Sequence, residues 1–277
     1  MRMTIFARGI LLGCATVTAA LIFGAVSARA DSPPAPADAV VARQKVIQDL
    51  VLANHILFHE GLVDAFGHVT ARDPVNPTHY LMARSVQPPF VTAADIVELD
   101  ADSKPVAKDA PHVPLERFIH GEIYRVRPDV RAIVHSHAEA VLPFSVVKTV
   151  PLRAICHTCG FLGAGAPIFE IRNVAGDSSN MLVQNIPLGA ALAKTLGKSD
   201  VVLMRGHGFT VVGGSIEEAV YNAINTVRNA HIEMEALRLG KPTFLTEGEA
   251  AAVSKTHNAS LDSSWEIWVK QAEGQMR

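Results

Sequence analysis

The run Val130-Arg131-Ala132-Ile133-Val134-His135-Ser136-His137 decides how this chain is read. Its β-branched and apolar residues form a compact strand leading straight into two histidines. Residues two apart on a strand leave the same face of a sheet, so His135 and His137 can serve one cation. A third histidine, His207, stands in Arg205-Gly206-His207-Gly208, directly after the apolar strand Val201–Met204. Glycines on both sides let the backbone turn tightly there and approach a neighbour closely. Three neutral imidazoles with a fourth position left for substrate make the ligand set of a catalytic zinc-type site. The competing reading makes them three of 12 histidines in ordinary hydrogen bonds, and spacing alone does not separate the two.

Upstream, Pro114 suits a first helical position, and the spacing predicts a helix from Leu115 to Arg127, stopped by Pro128. Glu116 then falls in the first turn, with His120 and Tyr124 on the same face at i+4 and i+8. A carboxylate there either favours the positive end of the helix dipole, worth about 0.3–1 kcal/mol, or moves protons beside a bound cation. Farther out, a helix is expected over Val41–Glu60, closed by Gly61. Strands are expected at Val69–Arg72, Tyr80–Met82, Ile96–Leu99 and Leu152–Ile155, separated by turns such as Asp73-Pro74-Val75-Asn76-Pro77. Helices are expected at Glu139–Val147, Gly189–Leu196 and Ser215–Leu239, the last opened by Ser215-Ile216-Glu217-Glu218 and closed by Gly240. Strands and helices mix without a strict β-α alternation or a repeat. The fold class is therefore α/β: a single layered domain with a central mixed or antiparallel sheet flanked by helices.

Bulk composition agrees with one well-cored domain, 277 residues of which 49% are apolar and 19% charged. Residues 1–30 read as a signal peptide. Arg2 and Arg8 precede an apolar run from Gly9 to Val26, and Ala28-Arg29-Ala30 supplies small residues for cleavage. A retained membrane anchor is the competing reading, and Cys14 lies too close to Arg8 for a lipoprotein site. Cleavage makes the protein periplasmic or secreted, without stable membrane association. It also takes Arg2, Arg8 and Arg29 from the 25 basic residues, leaving 22 against 27 acidic ones, a charge of about −5. With no basic stripe, nucleic acid is excluded as a partner. Residues 31–40 read as a flexible Pro/Ala linker, and 41–277 as the folded domain. Cys156-His157-Thr158-Cys159 leaves three readings open: two buried thiols, a local disulfide, or thiol chemistry.

Several of these stretches together resemble the class II aldolase/adducin family. The run Glu116-Arg117-Phe118-Ile119-His120-Gly121-Glu122-Ile123-Tyr124, with Arg127-Pro128-Asp129 and Ala132 to His137, is similar to its central signature. Arg205-Gly206-His207-Gly208 resembles its second metal segment, and Gly67-His68-Val69-Thr70-Ala71-Arg72 its N-terminal substrate loop. The similarity runs from about Val46 to Gly240. It implies one divalent cation per subunit, zinc or alternatively manganese, held by His135, His137 and His207. It also implies Glu116 as catalytic acid/base, and a homotetramer with active sites at subunit boundaries. Metal-free scaffold members of the family lack this ligand set.

The substrate loops depart from the sugar-phosphate aldolases, which carry Gly-Asn, Thr-Gly and Ser-Ser where this chain has Gly67-His68, Arg84-Ser85 and Pro114-Leu115. Hydroxyl donors and a glycine that cradle a phosphate are gone. Asn76-Pro77, Tyr80-Leu81-Met82 and Val91-Thr92-Ala93-Ala94-Asp95-Ile96 are more similar to the branch containing pyridine-dicarboxylate decarboxylases. His68, Arg84 and Ser85 are then substrate-binding residues, Arg84 gripping a carboxylate bidentately. The expectation is a metal-dependent carbon–carbon lyase, by aldol-type cleavage or decarboxylation, on an unphosphorylated hydroxy-carbonyl or carboxylate substrate. The alternative is a non-catalytic periplasmic metal- or ligand-binding protein on the same scaffold. Trp265 and Trp268 either cover a neighbour's site or pack on their own domain.

Overall fold

A computed structural model describes residues 36–274. Helix α1 spans Pro36–His59 and ends in a turn at Gly61, whose φ is 70°. It begins five residues inside the expected linker: Pro36 opens it where a missing N–H costs nothing, and alanines continue it. Residues 36–40 are thus helical, a correction to the linker reading. Residues 31–35 and the expected signal peptide lie outside the described residues.

Three strands follow, β1 (His68–Arg72), β2 (Tyr80–Ala83) and β3 (Ile96–Leu99). Helix α2 covers Arg117–Val126 and β4 Ala132–Ser136. Glu116 is therefore the residue capping α2, with φ −85° and ψ 17°, and not part of its first turn as expected. A short helix α3 (Leu142–Val146) and a two-residue strand β5 (Ile168–Phe169) come next. Helices α4 (Arg172–Ala175) and α5 (Ile186–Leu196) lead to the hairpin of β6 (Val201–Met204) and β7 (Gly208–Gly213). The chain closes with α6 (Ile216–Leu239), α7 (Glu247–Asn258) and α8 (Leu261–Ala272). Ser215 accepts from Glu218 N to start α6, and Gly240 ends it. No helix among the described residues is long and apolar enough to cross a membrane.

The seven strands make one sheet in the order β3-β2-β1-β4-β7-β6-β5. All neighbours are antiparallel except β5 and β6, which are parallel. Strand alternation sorts the apolar residues to two faces. Ala132, Val134, Val201, Leu203 and Phe209 pack with Leu50, Ile56 and Leu57 of α1 and Val220 and Ile224 of α6. Ile133, Val202, Met204 and Val212 point the other way, onto Ile119 and Ile123 of α2 and Leu188 and Leu192 of α5. Each such fully buried Leu or Ile contributes about 1.5–3 kcal/mol. Sheet register then sets the site. His68 lies opposite His135 and Thr70 opposite Ile133, so these residues share the face covered by α2.

Residues 152–155 are not a strand, contrary to expectation: the amides of Arg153 and Ile155 donate to the side chains of Glu233 and Asn229 on α6, not to a ladder. Cys156 and Cys159 beside them form a disulfide. Trp268 is buried against Tyr221 and under the Arg228 guanidinium, so the C-terminal helix packs on its own domain.

Candidate metal centre

Strand β4 delivers His135 to the α2 face and releases His137 one residue past its end, on the same side. The β6–β7 hairpin brings His207 to meet them. Its turn needs Gly206 at φ 65°, and a Cβ on Gly208 would come within 2.1 Å of the Ser136 carbonyl oxygen. Glu116 enters from the cap of α2. One ligand atom from each of Glu116, His135, His137 and His207 lies within 4.8 Å of the others. All four sequence-predicted residues converge.

The hydrogen bonds fix which nitrogen each ring offers. His135 Nδ1 faces the Phe209 carbonyl at 3.1 Å, His207 Nδ1 the Met181 carbonyl at 3.0 Å, and His137 Nδ1 the Asp64 carboxylate at 3.4 Å. Every Nδ1 is therefore the protonated donor, and every Nε2 turns a lone pair inward. His137 Nε2 sits 3.1 Å from His135 Nε2 and 3.0 Å from His207 Nε2, with Glu116 Oε2 at 3.5 and 3.4 Å from the latter two. Inward lone pairs on three neutral rings and a carboxylate oxygen share no proton that could bond them all. This donor set fits a divalent cation.

Electrostatics point the same way. Burial alone would push the Glu116 carboxyl up, but His135 and His207 hold it well below the usual carboxylate range. Burial lowers His207 too, yet Glu116 raises it above the ordinary imidazole value. The carboxylate thus favours positive charge at this point, which a cation held by the three rings would supply. Burial and the neighbouring imidazoles take His137 down to about 4 and His68 to about 3, so both rings are neutral.

A cavity of about 670 Å³ opens beside the cluster, lined by Glu116 and His137 and by the three expected substrate residues His68, Arg84 and Ser85. Much of the rest of its wall is apolar: Ala65, Phe66, Ala83, Val86, Val113, Pro114, Leu115 and Leu182. Arg84 already pairs with Asp95 through Nε at 2.6 Å. Its Nε edge is therefore committed, and a carboxylate can meet only the Nη pair. A smaller cavity of about 290 Å³, between residues 161–166 and 198–201, holds none of these groups.

Two supports were not read from the sequence. Asp64 accepts from the amides of Phe66 and Gly67 while facing His137; an Asp three residues before a Gly was the available signal. Val183 N donates to Glu116 Oε1 at 2.9 Å, two residues after the Met181 carbonyl that orients His207. A backbone group of this kind carries no residue-type signal.

Residues 48–234 match the family described as Class II Aldolase and Adducin N-terminal domain. The chain belongs to this family. It is 38% identical to Decarboxylase tropJ of Talaromyces stipitatus over 250 residues, 82% of this chain and 94% of the relative. It is 31% identical to a 3,4-dihydroxyphthalate decarboxylase of Arthrobacter keyseri, over 69% of this chain and 78% of that one. Among solved structures, L-fuculose 1-phosphate aldolase from Glaciozyma antarctica superposes with a TM-score of 0.71 at 23% identity. That match covers 88% of this chain and 96% of that one, a likeness of fold.

Proposed function

We propose that this protein is a metal-dependent carbon–carbon lyase that decarboxylates a hydroxylated aromatic carboxylate. The observation that carries the reading is the convergence of three Nε2 lone pairs and the Glu116 carboxylate on one point beside a largely apolar, 670 Å³ cavity. The two decarboxylase relatives, one of them named for a dihydroxyphthalate, support the reaction type.

In this reading His135, His137 and His207 hold the cation. A bound divalent cation supplies Lewis acidity, worth several kcal/mol, toward a substrate oxygen that gains charge. The apolar wall takes the ring and excludes water, which strengthens every polar contact inside. The Nη pair of Arg84 holds a carboxylate. Glu116, ionised at rest, takes the proton of the substrate hydroxyl and returns it to the ring carbon that bears the leaving carboxylate. The bond to that carboxylate then breaks, its electron pair restores the aromatic ring, and carbon dioxide leaves.

Phe66 and Leu115 line the cavity yet are 74% and 60% exposed. Apolar surface at a site mouth supports closure by a second subunit, and we propose the homotetramer that light scattering of the purified protein would test. Export with cleavage after Ala30 is likewise proposed, and N-terminal sequencing of the mature protein checks it.

The deciding experiment measures metal content and carbon dioxide release on a panel of hydroxybenzoates and dihydroxyphthalates. One divalent ion per chain, with chelator-sensitive release from at least one substrate, is expected. Stoichiometric metal with no turnover of any aromatic carboxylate sinks the substrate assignment, and absence of metal from active protein sinks the mechanism.

A further inference from the structure

Behind the cavity wall, a file of hydrogen bonds leads from the sheet into the site. Tyr124 hydroxyl meets Thr70 Oγ1 at 2.9 Å, Thr70 Oγ1 meets His120 Nδ1 at 2.8 Å, and His120 Nε2 meets His68 Nδ1 at 2.7 Å. The file arises from two periodicities. His120 and Tyr124 are four apart on α2, His68 and Thr70 two apart on β1, and the two rows face each other. All four residues are buried, His120 and Thr70 completely.

Proton counting gives the file a direction. The buried Tyr124 hydroxyl has one proton and, among the described residues, one acceptor in reach, Thr70 Oγ1. A buried phenol that withheld it would leave a donor unmade, at a cost comparable to a lost hydrogen bond. Thr70, accepting from Tyr124, spends its own proton on His120 Nδ1. His120 must then carry its proton on Nε2 and give it to His68 Nδ1. Run backwards, the file ends on a phenol proton with nowhere to go. The Arg72 guanidinium, 4.7 Å over the Tyr124 ring and bonded to the Tyr124 carbonyl, pins the far end.

We propose that Tyr124, Thr70 and His120 act as positioning residues that lock His68 as the Nε2–H tautomer, making it a one-way hydrogen-bond donor to a substrate oxygen in the cavity. The donor role rests on the lyase reading; the tautomer does not. A ring free to choose would present a lone pair as often as a proton, and a lone pair repels a carboxylate or phenolate oxygen. The file removes that choice before substrate arrives.

The test uses the metal-loaded protein with ¹⁵N-labelled histidines, His68 being assigned by comparison with His68→Gln. Long-range ¹H–¹⁵N correlations report which nitrogen is protonated. Wild type and Thr70→Ser should show His68 protonated on Nε2. Thr70→Val removes the donor to His120 and should bring in the Nδ1–H form, with affinity for salicylate as probe falling about 10-fold. A wild-type His68 protonated on Nδ1, a Thr70→Val tautomer unchanged from wild type, or unchanged salicylate affinity despite a reversed tautomer overturns the proposal. If Thr70→Val does not fold, the wild-type assignment alone decides. Tautomers as stated, with no aromatic carboxylate turned over, would defeat the lyase reading and leave the lock standing.

Discussion

Met181 accepts the Nδ1–H of His207 on its carbonyl oxygen at 3.0 Å while holding its own backbone at φ 67°, in the left-handed region. A side-chain-bearing residue there costs on the order of 1–3 kcal/mol and persists only where the surroundings over-determine it. Here the same short segment also sends Val183 N to Glu116, so one strained turn positions both the His207 ring and the Glu116 carboxylate. Met181→Gly keeps the carbonyl at an unstrained φ and should retain metal. Met181→Pro cannot adopt a positive φ, must move that carbonyl, and should weaken metal binding by about 10–100-fold in chelator competition.

Asp64 plays the corresponding part for His137. Its carboxylate lies 3.4 Å from Nδ1 and also closes a turn through the Phe66 and Gly67 amides. Asp64→Asn preserves an acceptor for the turn but removes the negative charge that would make the ring a better metal ligand. Metal affinity should drop by about 10-fold with little change in melting temperature. An Asn variant binding metal as tightly as wild type would make Asp64 a turn residue only.

The candidate ligand histidines are legible because strand periodicity alone places His135 and His137 on one side, and glycines mark the hairpin that carries His207. The strand expected over residues 152–155 does not form because, although its alternation is real, its amides are taken by Glu233 and Asn229, 80 and 74 residues away. Strand β7 carries little sequence signal, because glycines, Gly208 and Gly213, stand at both its ends. The sequence puts Glu116 one step too far into α2, since Pro114 suits a helix start that the chain delays to Arg117. The tautomer-fixing acceptors Phe209 and Met181 are backbone carbonyls, and no side-chain alphabet records them.

Glu116→Gln separates holding the metal from using it. The amide keeps the acceptor for Val183 N and nearly the same shape, so metal should stay bound through the three rings. Turnover should fall by about 10²–10⁴-fold, the usual worth of a positioned proton carrier. The readouts are metal stoichiometry beside kcat. A Gln variant with wild-type kcat would assign the proton transfer elsewhere.

Glu233 offers a test that owes nothing to catalysis. It is fully buried on α6, one carboxylate oxygen accepting from Arg153 N and Asn229 Nδ2 while the other has no hydrogen-bond partner among the described residues. Burial pushes its carboxyl up to about 7, against an ordinary value near 4.5, despite the lowering effect of those bonds and of the Arg153 charge. The folded state therefore binds the proton more tightly than the unfolded chain. Between pH 4.5 and 7 the native protein holds more protons here, so this group's contribution to stability falls as pH rises through that window. Glu233→Gln removes the charge and keeps an acceptor. It should raise the melting temperature at pH 8, where the wild type must bury an ionised carboxylate, and leave it nearly unchanged at pH 5. The stabilisation at high pH should be on the order of 1–3 kcal/mol. A variant less stable than wild type at both pH values would show instead that the second oxygen is solvated, and that ionised Glu233 is tolerated in the fold.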